Sequence, residues 1–265
     1  MPTAPKASGP SSTSASRASS DAAAPDHAAR FAARRRRRIY LMRHGSVDYF
    51  RADGTIVPPD GVPLNPLGRT QADAAGALFA QAGVRFDRCI TSGLPRTVET
   101  ATRVLAASHQ TLAVEVEPAL HEIRGGRLAD IPRERIEQAF VGAFESGPDA
   151  EAQRFLGGES VGELLDRVLP AFERVLARGD WNDLLLVLHG GVNRAIVARR
   201  LAGRRAFFGR LEQAPACINI IDATRADLVL LGLNLSPTQW LHEREHLTTM
   251  EKLLLQYLKI AERRS

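Results

Sequence analysis

Cysteine is scarce in this chain of 265 residues, with only Cys89 and Cys217. Both lie in apolar, strand-like runs. A disulfide scaffold requires several spaced cysteine pairs, so that class is excluded and two buried free thiols are expected. Long hydrophobic runs are missing as well. No uninterrupted apolar stretch approaches the roughly 20 residues of a membrane-spanning helix, so no membrane partner is expected, and the expected location is the cytoplasm. Excess charge is missing from most of the chain. The formal net charge is +5, yet Lys6, Arg17, Arg30 and Arg34 to Arg38 stand against only Asp21 and Asp26 in residues 1–38. That segment alone carries +6, which leaves −1 for residues 39–265. A nucleic-acid-binding fold needs its basic patch on the folded surface, so no nucleic-acid partner is expected for the folded domain.

Residues 1–38 also lack the means to build a core. They are rich in Ala, Ser, Pro and Arg, with Phe31 nearly alone as a large apolar residue. Such a segment cannot offset its ordering entropy, so a disordered basic tail is expected. It is not read as a signal peptide, because the apolar stretch after the arginines is too short and ends at Arg43. Arg34 to Arg38 could meet RNA or an acidic surface, but a solvated tail is the expected reading.

The chain as a whole has the composition of a globular protein, 44% hydrophobic and 25% charged. Apolar runs predict strands over 39–43, 87–91, 113–117, 184–188, 217–223 and 227–233. Helical patterns alternate with them, over 66–81, 94–107, 132–145, 160–177 and 192–202. Pro66 and Pro95 suit first helical turns, and Ser92 is a candidate cap. Residues 45–64 form a long loop rich in turn dipeptides. No internal repeat is visible. The alternation predicts an α/β domain over 39–235 with a mostly parallel sheet. Residues 236–265 read as a C-terminal helical extension, with Leu247, Met250, Leu253, Leu254, Tyr257, Leu258 and Ala261 on one face. That face packs either on the domain, the expected case, or on a second copy in a homodimer.

Two of the strand-like runs end in histidine and glycine. Ile39-Tyr40-Leu41-Met42 is followed by Arg43-His44-Gly45, and Leu184 to Leu188 by His189-Gly190-Gly191. Ligands of open α/β sheets bind beyond the carboxyl ends of the strands, so both imidazoles are expected in one crevice. Arg96 falls in a first helical turn, where the helix dipole disfavours a cation unless an anion is bound there too. Arg43 can fork onto two phosphate oxygens, and Gly190 and Gly191 let a ligand approach the backbone. A neutral imidazole is a competent nucleophile, cationic donors stabilise a transferring phosphoryl group, and Glu122 is a candidate acid for the leaving oxygen.

These segments resemble the histidine phosphatase superfamily, also called phosphoglycerate-mutase-like. The resemblance rests on Arg43-His44-Gly45, residues 92–101 (SGLPRTVETA), Leu120-His121-Glu122 with Gly126, and His189-Gly190-Gly191-Val192-Asn193-Arg194. Leu64 to Ala72 also resembles that family's first helix. The similarity runs in order over about residues 39–235. It implies a three-layer α/β/α fold with a mostly parallel central sheet. It implies that His44 becomes a phosphohistidine, that Arg43, Arg96, His189 and Gly190 hold the phosphoryl group, and that Glu122 serves as proton donor and then helps water attack. Neither a metal nor an organic cofactor is implied. The expected partner is a small phosphorylated substrate or a phosphoprotein. Departures from the pattern accompany the match. Many members carry asparagine where Phe50 stands, Leu188 occupies a place often held by a small hydroxyl residue, and residues 127–158 look family-specific. Ser46 and Asn65 are candidate substrate contacts, Ser46 in partial place of that asparagine.

The reading is a metal-independent phosphomonoester hydrolase. Phosphoglycerate-mutase-type transfer and a non-catalytic phospho-ligand binder are the alternatives. His242-Glu243-Arg244-Glu245-His246 also matches the zinc peptidase motif H-E-x-x-H, with Glu251 or Glu262 as a third ligand. It lies outside the α/β core in a highly charged segment, so a solvated helix start is expected. His27, His109 and His121 are read as incidental tail and loop residues.

Overall fold

The computed structural model describes residues 36–51, 53, 55–144, 149–224, 228–239 and 246–264. The predicted tail therefore lies outside the described residues, except for Arg36 to Arg38. Six strands form one sheet in the order β3-β2-β4-β1-β5-β6. They are β1 (Arg37–Arg43), β2 (Arg88–Thr91), β3 (Val114–Val116), β4 (Asp183–Leu188), β5 (Ile218–Ala223) and β6 (Leu228–Leu235). β3, β2, β4 and β1 run parallel, while β5 is antiparallel to both β1 and β6. The sheet is thus mixed, with a single reversed strand.

Period-two alternation divides the core. Ile39, Leu41, Leu184, Leu186 and Leu188 face helices α4 (Val161–Ala177) and α5 (Gly190–Ala202). Tyr40, Met42, Leu185 and Val187 face α1 (Pro66–Gln81) and α2 (Pro95–Ala107). This makes three layers, with β4 and β1 buried on both sides. Local signals set the helix starts. Asn65 caps α1 by accepting from Gly68 N–H at 2.8 Å, with Pro66 in its first turn. Ser160 and Glu163 close a capping box on α4. Cys89 and Cys217 are both free and buried. Among the described residues, no helix is long and apolar enough to cross a membrane.

Three expectations change, and the packing of the last helix is the expected one. β1 begins at Arg37, two residues into the expected tail. The Arg38 guanidinium pairs with Asp222 at 2.7 Å, and that of Arg37 lies 3.9 Å from the Trp181 ring centroid. An arginine run is ambiguous locally, because strand pairing and a flat aromatic partner are both supplied from far along the chain. The helix expected over 132–145 shrinks to α3 (Ile136–Val141), flanked by 3₁₀ turns. Only Ile136 and Phe140 are fully buried within it, which is too little to hold three helical turns. The helix expected at 94 starts at Pro95 with Leu94 as its cap, so Ser92 is not its cap residue. The last helix, α6 (Thr249–Arg264), packs within the chain against α3, with Leu254 buried beside Ile136 and Phe140.

Candidate active site

β1 and β4 are hydrogen-bonded neighbours, and their register sets Arg43 opposite Leu188. The residues that follow, His44 and His189, therefore emerge side by side, with ring centroids 5.3 Å apart. β2 flanks β4 on its other edge with Thr91 opposite Val187. Ser92 is thereby delivered to His189, its Oγ lying 2.8 Å from Nε2. Parallel pairing turns three sequence-distant strand ends into one site.

His44 is buried, and its Nδ1 lies 2.7 Å from the Gly45 carbonyl oxygen. A carbonyl can only accept, so Nδ1 carries the proton and Nε2 keeps its lone pair. Burial, and then the positive charges of Arg96 and Arg43, hold the His44 imidazole well below its ordinary pKa of 6.5, against the opposing pull of the Gly45 carbonyl. Burial and Arg96 depress His189 in the same direction. Both rings are therefore neutral in the native protein near neutral pH. As pH falls through 6.5, the unfolded chain takes up protons at these positions that the native state refuses. Stability present above that pH is then lost, by up to about 1.4 kcal/mol per pH unit for each histidine. Urea midpoints are expected to drop between pH 7.5 and 5.5, and to drop less in His44→Gln. Equal slopes for the two proteins would show that His44 titrates normally.

Among the described residues, six buried side-chain nitrogens or oxygens lack a hydrogen-bond partner, and three belong to this site: Arg43 Nε, Arg96 Nε and His189 Nδ1. Such groups are costly unless something answers them. Arg96 is only 2% exposed, and its Nη1 is anchored on the Pro59 carbonyl at 2.6 Å. Arg43 Nη1 donates to the Gln213 carbonyl and to Thr249 Oγ1. The site also gathers the N-termini of α2 and α5. Gly190 leaves room between guanidiniums, since a Cβ there would lie 3.2 Å from Arg194 Nη1 and 3.7 Å from Arg43 Nε. Cationic donors and two helix N-termini beside a neutral imidazole suit a tetrahedral anion.

Glu122 enters from the loop after β3. Both of its carboxylate oxygens accept the Gly191 N–H at 3.1 Å, and Oε1 also accepts the Ile123 N–H at 2.9 Å. A Cβ on Gly191 would sit 2.6 Å from Oε1, so glycine is required for the carboxylate to occupy this place.

A family model described as the histidine phosphatase superfamily (branch 1) matches residues 39–236. The chain belongs to that family. It is 27% identical over 190 residues to a 2-carboxy-D-arabinitol-1-phosphatase of Triticum aestivum, a match covering 71% of this chain but 37% of that relative. It is 30% identical over 168 residues to a 2,3-bisphosphoglycerate-dependent phosphoglycerate mutase of Rhizobium etli, covering 60% and 77% of the two chains. Among solved structures, the alpha-ribazole phosphatase of Shigella flexneri is similar with a TM-score of 0.60 and 25% identity, over 74% of this chain and 96% of that one.

Within this histidine phosphatase domain, several supporting residues carry no local signal. Arg167 on α4 donates to the carbonyls of Ala119, His121 and Glu122 at 2.7–2.9 Å. Glu159 balances its charge at 2.7 and 2.8 Å and also accepts the Arg124 N–H. One half-buried ion pair thus fixes the loop that carries Glu122. Ser92 is a second such residue. For His189 Nδ1 to donate, Nε2 must accept, and the Ser92 hydroxyl can supply that proton while Thr97 Oγ1 donates to the Leu94 carbonyl at 2.8 Å.

The remaining candidates sit as follows. Asn65 is occupied within the fold, its Oδ1 on Gly68 N–H and its Nδ2 on Asp48. Ser46 is fixed through its backbone, to Gln71 Oε1 and Asn65 N–H. His121 hydrogen-bonds the Ser92 backbone, and burial depresses its pKa. Phe50 packs toward Tyr257 of α6. Of the zinc-like motif, residues 242–245 lie outside the described residues. His246 has φ 53° and precedes α6, not within it. Among the described residues, no three His, Cys, Asp or Glu side chains are placed to share a metal ion.

Proposed function

We propose that this protein hydrolyses phosphomonoesters through a phosphohistidine at His44. The observation that carries the reading is the set of three partnerless buried donors, Arg43 Nε, Arg96 Nε and His189 Nδ1, beside an imidazole whose Nδ1 proton is held by the Gly45 carbonyl. The His44 Nε2 lone pair attacks phosphorus, and the ester P–O bond breaks. Glu122, as the acid, gives its proton to the departing oxygen. Water then attacks the phosphohistidine and passes a proton to the Glu122 carboxylate. The P–N bond breaks, and orthophosphate leaves. Arg43, Arg96, His189 and Gly190 hold the three non-bridging oxygens throughout. Ser46 is the candidate to supply the phosphate hydrogen bond that a phenylalanine at position 50 cannot make. The substrate is a small phosphomonoester or a phosphoprotein. The phosphatase and mutase names among similar proteins agree with phosphoryl transfer as the shared chemistry.

The test is a millisecond quench with a ³²P-labelled phosphomonoester. An acid-labile, base-stable phosphoenzyme is expected in the wild type and none in His44→Ala. Turnover by His44→Ala at the wild-type rate would refute the mechanism. A phosphoenzyme that passes its phosphoryl group to a phosphoglycerate faster than to water would identify the mutase reading instead. Failure to turn over any of a broad phosphomonoester panel would favour a binding protein.

A further inference from the structure

Helix α6 lies beyond residues 39–236, which the family model matches, yet it reaches the phosphate site. Its start is fixed by a capping box: Thr248 Oγ1 accepts the Glu251 N–H at 3.2 Å, and Glu251 Oε2 accepts the Thr248 N–H at 2.6 Å. That places Thr249 in the first turn, where its hydroxyl accepts from Arg43 Nη1 at 3.1 Å and donates to Glu212 Oε1 at 2.6 Å. Farther along, Tyr257 stands between Phe50, at 6.2 Å between ring centroids, and Phe140, at 5.6 Å. Phe50 stands where the family resemblance leads one to expect asparagine, and Phe140 belongs to the 127–158 segment read from the sequence as family-specific. Both rings therefore meet the same helix.

We propose that α6 is a working part of the phosphate site and that Thr249 is the positioning residue for Arg43. The inference rests on the reading of Arg43 as a phosphate ligand. A hydroxyl has one proton, and here it is spent on Glu212, so the oxygen lone pairs face Arg43. Glu212 turns its other oxygen to Arg194 at 3.4 Å. The carboxylate is thus held by Arg194 and Thr249. The threonine oxygen stands between it and the Arg43 guanidinium. Without that oxygen, Glu212 is free to fork onto Arg43 with the geometry a phosphoryl group would use. Thr249 therefore keeps the phosphate-binding cation available as well as oriented.

The experiment is calorimetric titration of the full chain with inorganic phosphate, beside steady-state kinetics on p-nitrophenyl phosphate. Thr249→Val is expected to weaken phosphate binding about tenfold and to raise KM by a similar factor, with kcat within about threefold of wild type. Thr249→Ser should restore both values, and Glu212→Gln combined with Thr249→Val should recover most of the affinity. Leu258→Ala, on an exposed position of the same helix, should change neither. If valine disturbs the helix start, Thr249→Ala is compared with Thr249→Ser in its place. Wild-type phosphate affinity in Thr249→Val, or a loss that neither serine nor Glu212→Gln repairs, overturns the proposal. A wild type that binds phosphate but forms no phosphoenzyme sinks the hydrolase reading and leaves this comparison intact. A wild type that binds no phosphate overturns both.

Discussion

Glu122→Gln is expected to slow hydrolysis of alkyl phosphomonoesters by about 10²–10⁴-fold, the usual contribution of a positioned general acid, while p-nitrophenyl phosphate slows by about tenfold or less. An alkoxide cannot leave without a proton, whereas a nitrophenolate can. Glutamine keeps a carbonyl oxygen for the Gly191 and Ile123 N–H groups that now bind the carboxylate, so the loop should hold its place. It has no proton to give. The measurement is log(kcat/KM) against leaving-group pKa for a series of aryl and alkyl phosphates, which should steepen in the variant. A uniform loss across the series would assign Glu122 to loop structure and leave the leaving group's proton without a protein donor. Arg167 and Glu159 make this carboxylate a fixed one, since three carbonyls of its loop are tied to a single guanidinium.

Arg96→Met should separate activity from stability. Arg96 is almost wholly buried, with one bond to the Pro59 carbonyl and a partnerless Nε. Removing a donor that stabilises the transferring phosphoryl group typically costs about 10²–10³-fold, and a loss of that size in kcat/KM is expected. Folding should not suffer in proportion. An apolar side chain of similar length removes a buried cation whose desolvation is poorly compensated, a change that is often neutral or stabilising by about 1–4 kcal/mol. In phosphate-free buffer, Tm should stay level or rise by several degrees, at roughly 2–4 °C per kcal/mol for a domain of this size. Added phosphate should raise the wild-type Tm, because it binds only the native state, and should do little for the variant. A variant that loses more than about 2 kcal/mol without phosphate would make Arg96 a structural pillar, and the partnerless donors would then need another explanation. The same burial and neighbouring arginines hold His44 and His189 below their ordinary pKa.

Much of the fold was legible because its signals are local. Apolar runs of five or six residues marked β1 and β4. Pro66 after Asn65 marked the start of α1, and the Ser160–Glu163 capping box stands at the start of α4. The misreadings occur where a partner far along the chain decides. Arg37 and Arg38 read as tail because Trp181 and Asp222 are about 140 and 180 positions away. Asn65, a candidate substrate contact in the sequence, also caps α1, because an N-cap and a ligand-binding amide look alike until the hydrogen bonds to Gly68 and Asp48 are seen. The start of α6 could have been found from Thr248-x-x-Glu251, a signal masked by the charged histidine motif just before it.

By itself, the sequence determined the type of chemistry: Arg43, His44, Arg96 and His189 at strand ends and helix starts, Glu122 on a loop, and the alternation that builds a three-layer domain. Those are properties of residue type and short-range spacing, which a linear pattern carries. Only the tertiary structure decided how that chemistry is held. Strand order set Ser92 behind His189, helix α4 brought Arg167 under the Glu122 loop, and α6 brought Thr249 between Arg43 and Glu212. Each of these pairings spans dozens to hundreds of positions, and the side chains that make it have neighbours in sequence that give no sign of it. Hydrogen-bond geometry depends on position in space, and sequence spacing does not encode that until the sheet has ordered its strands.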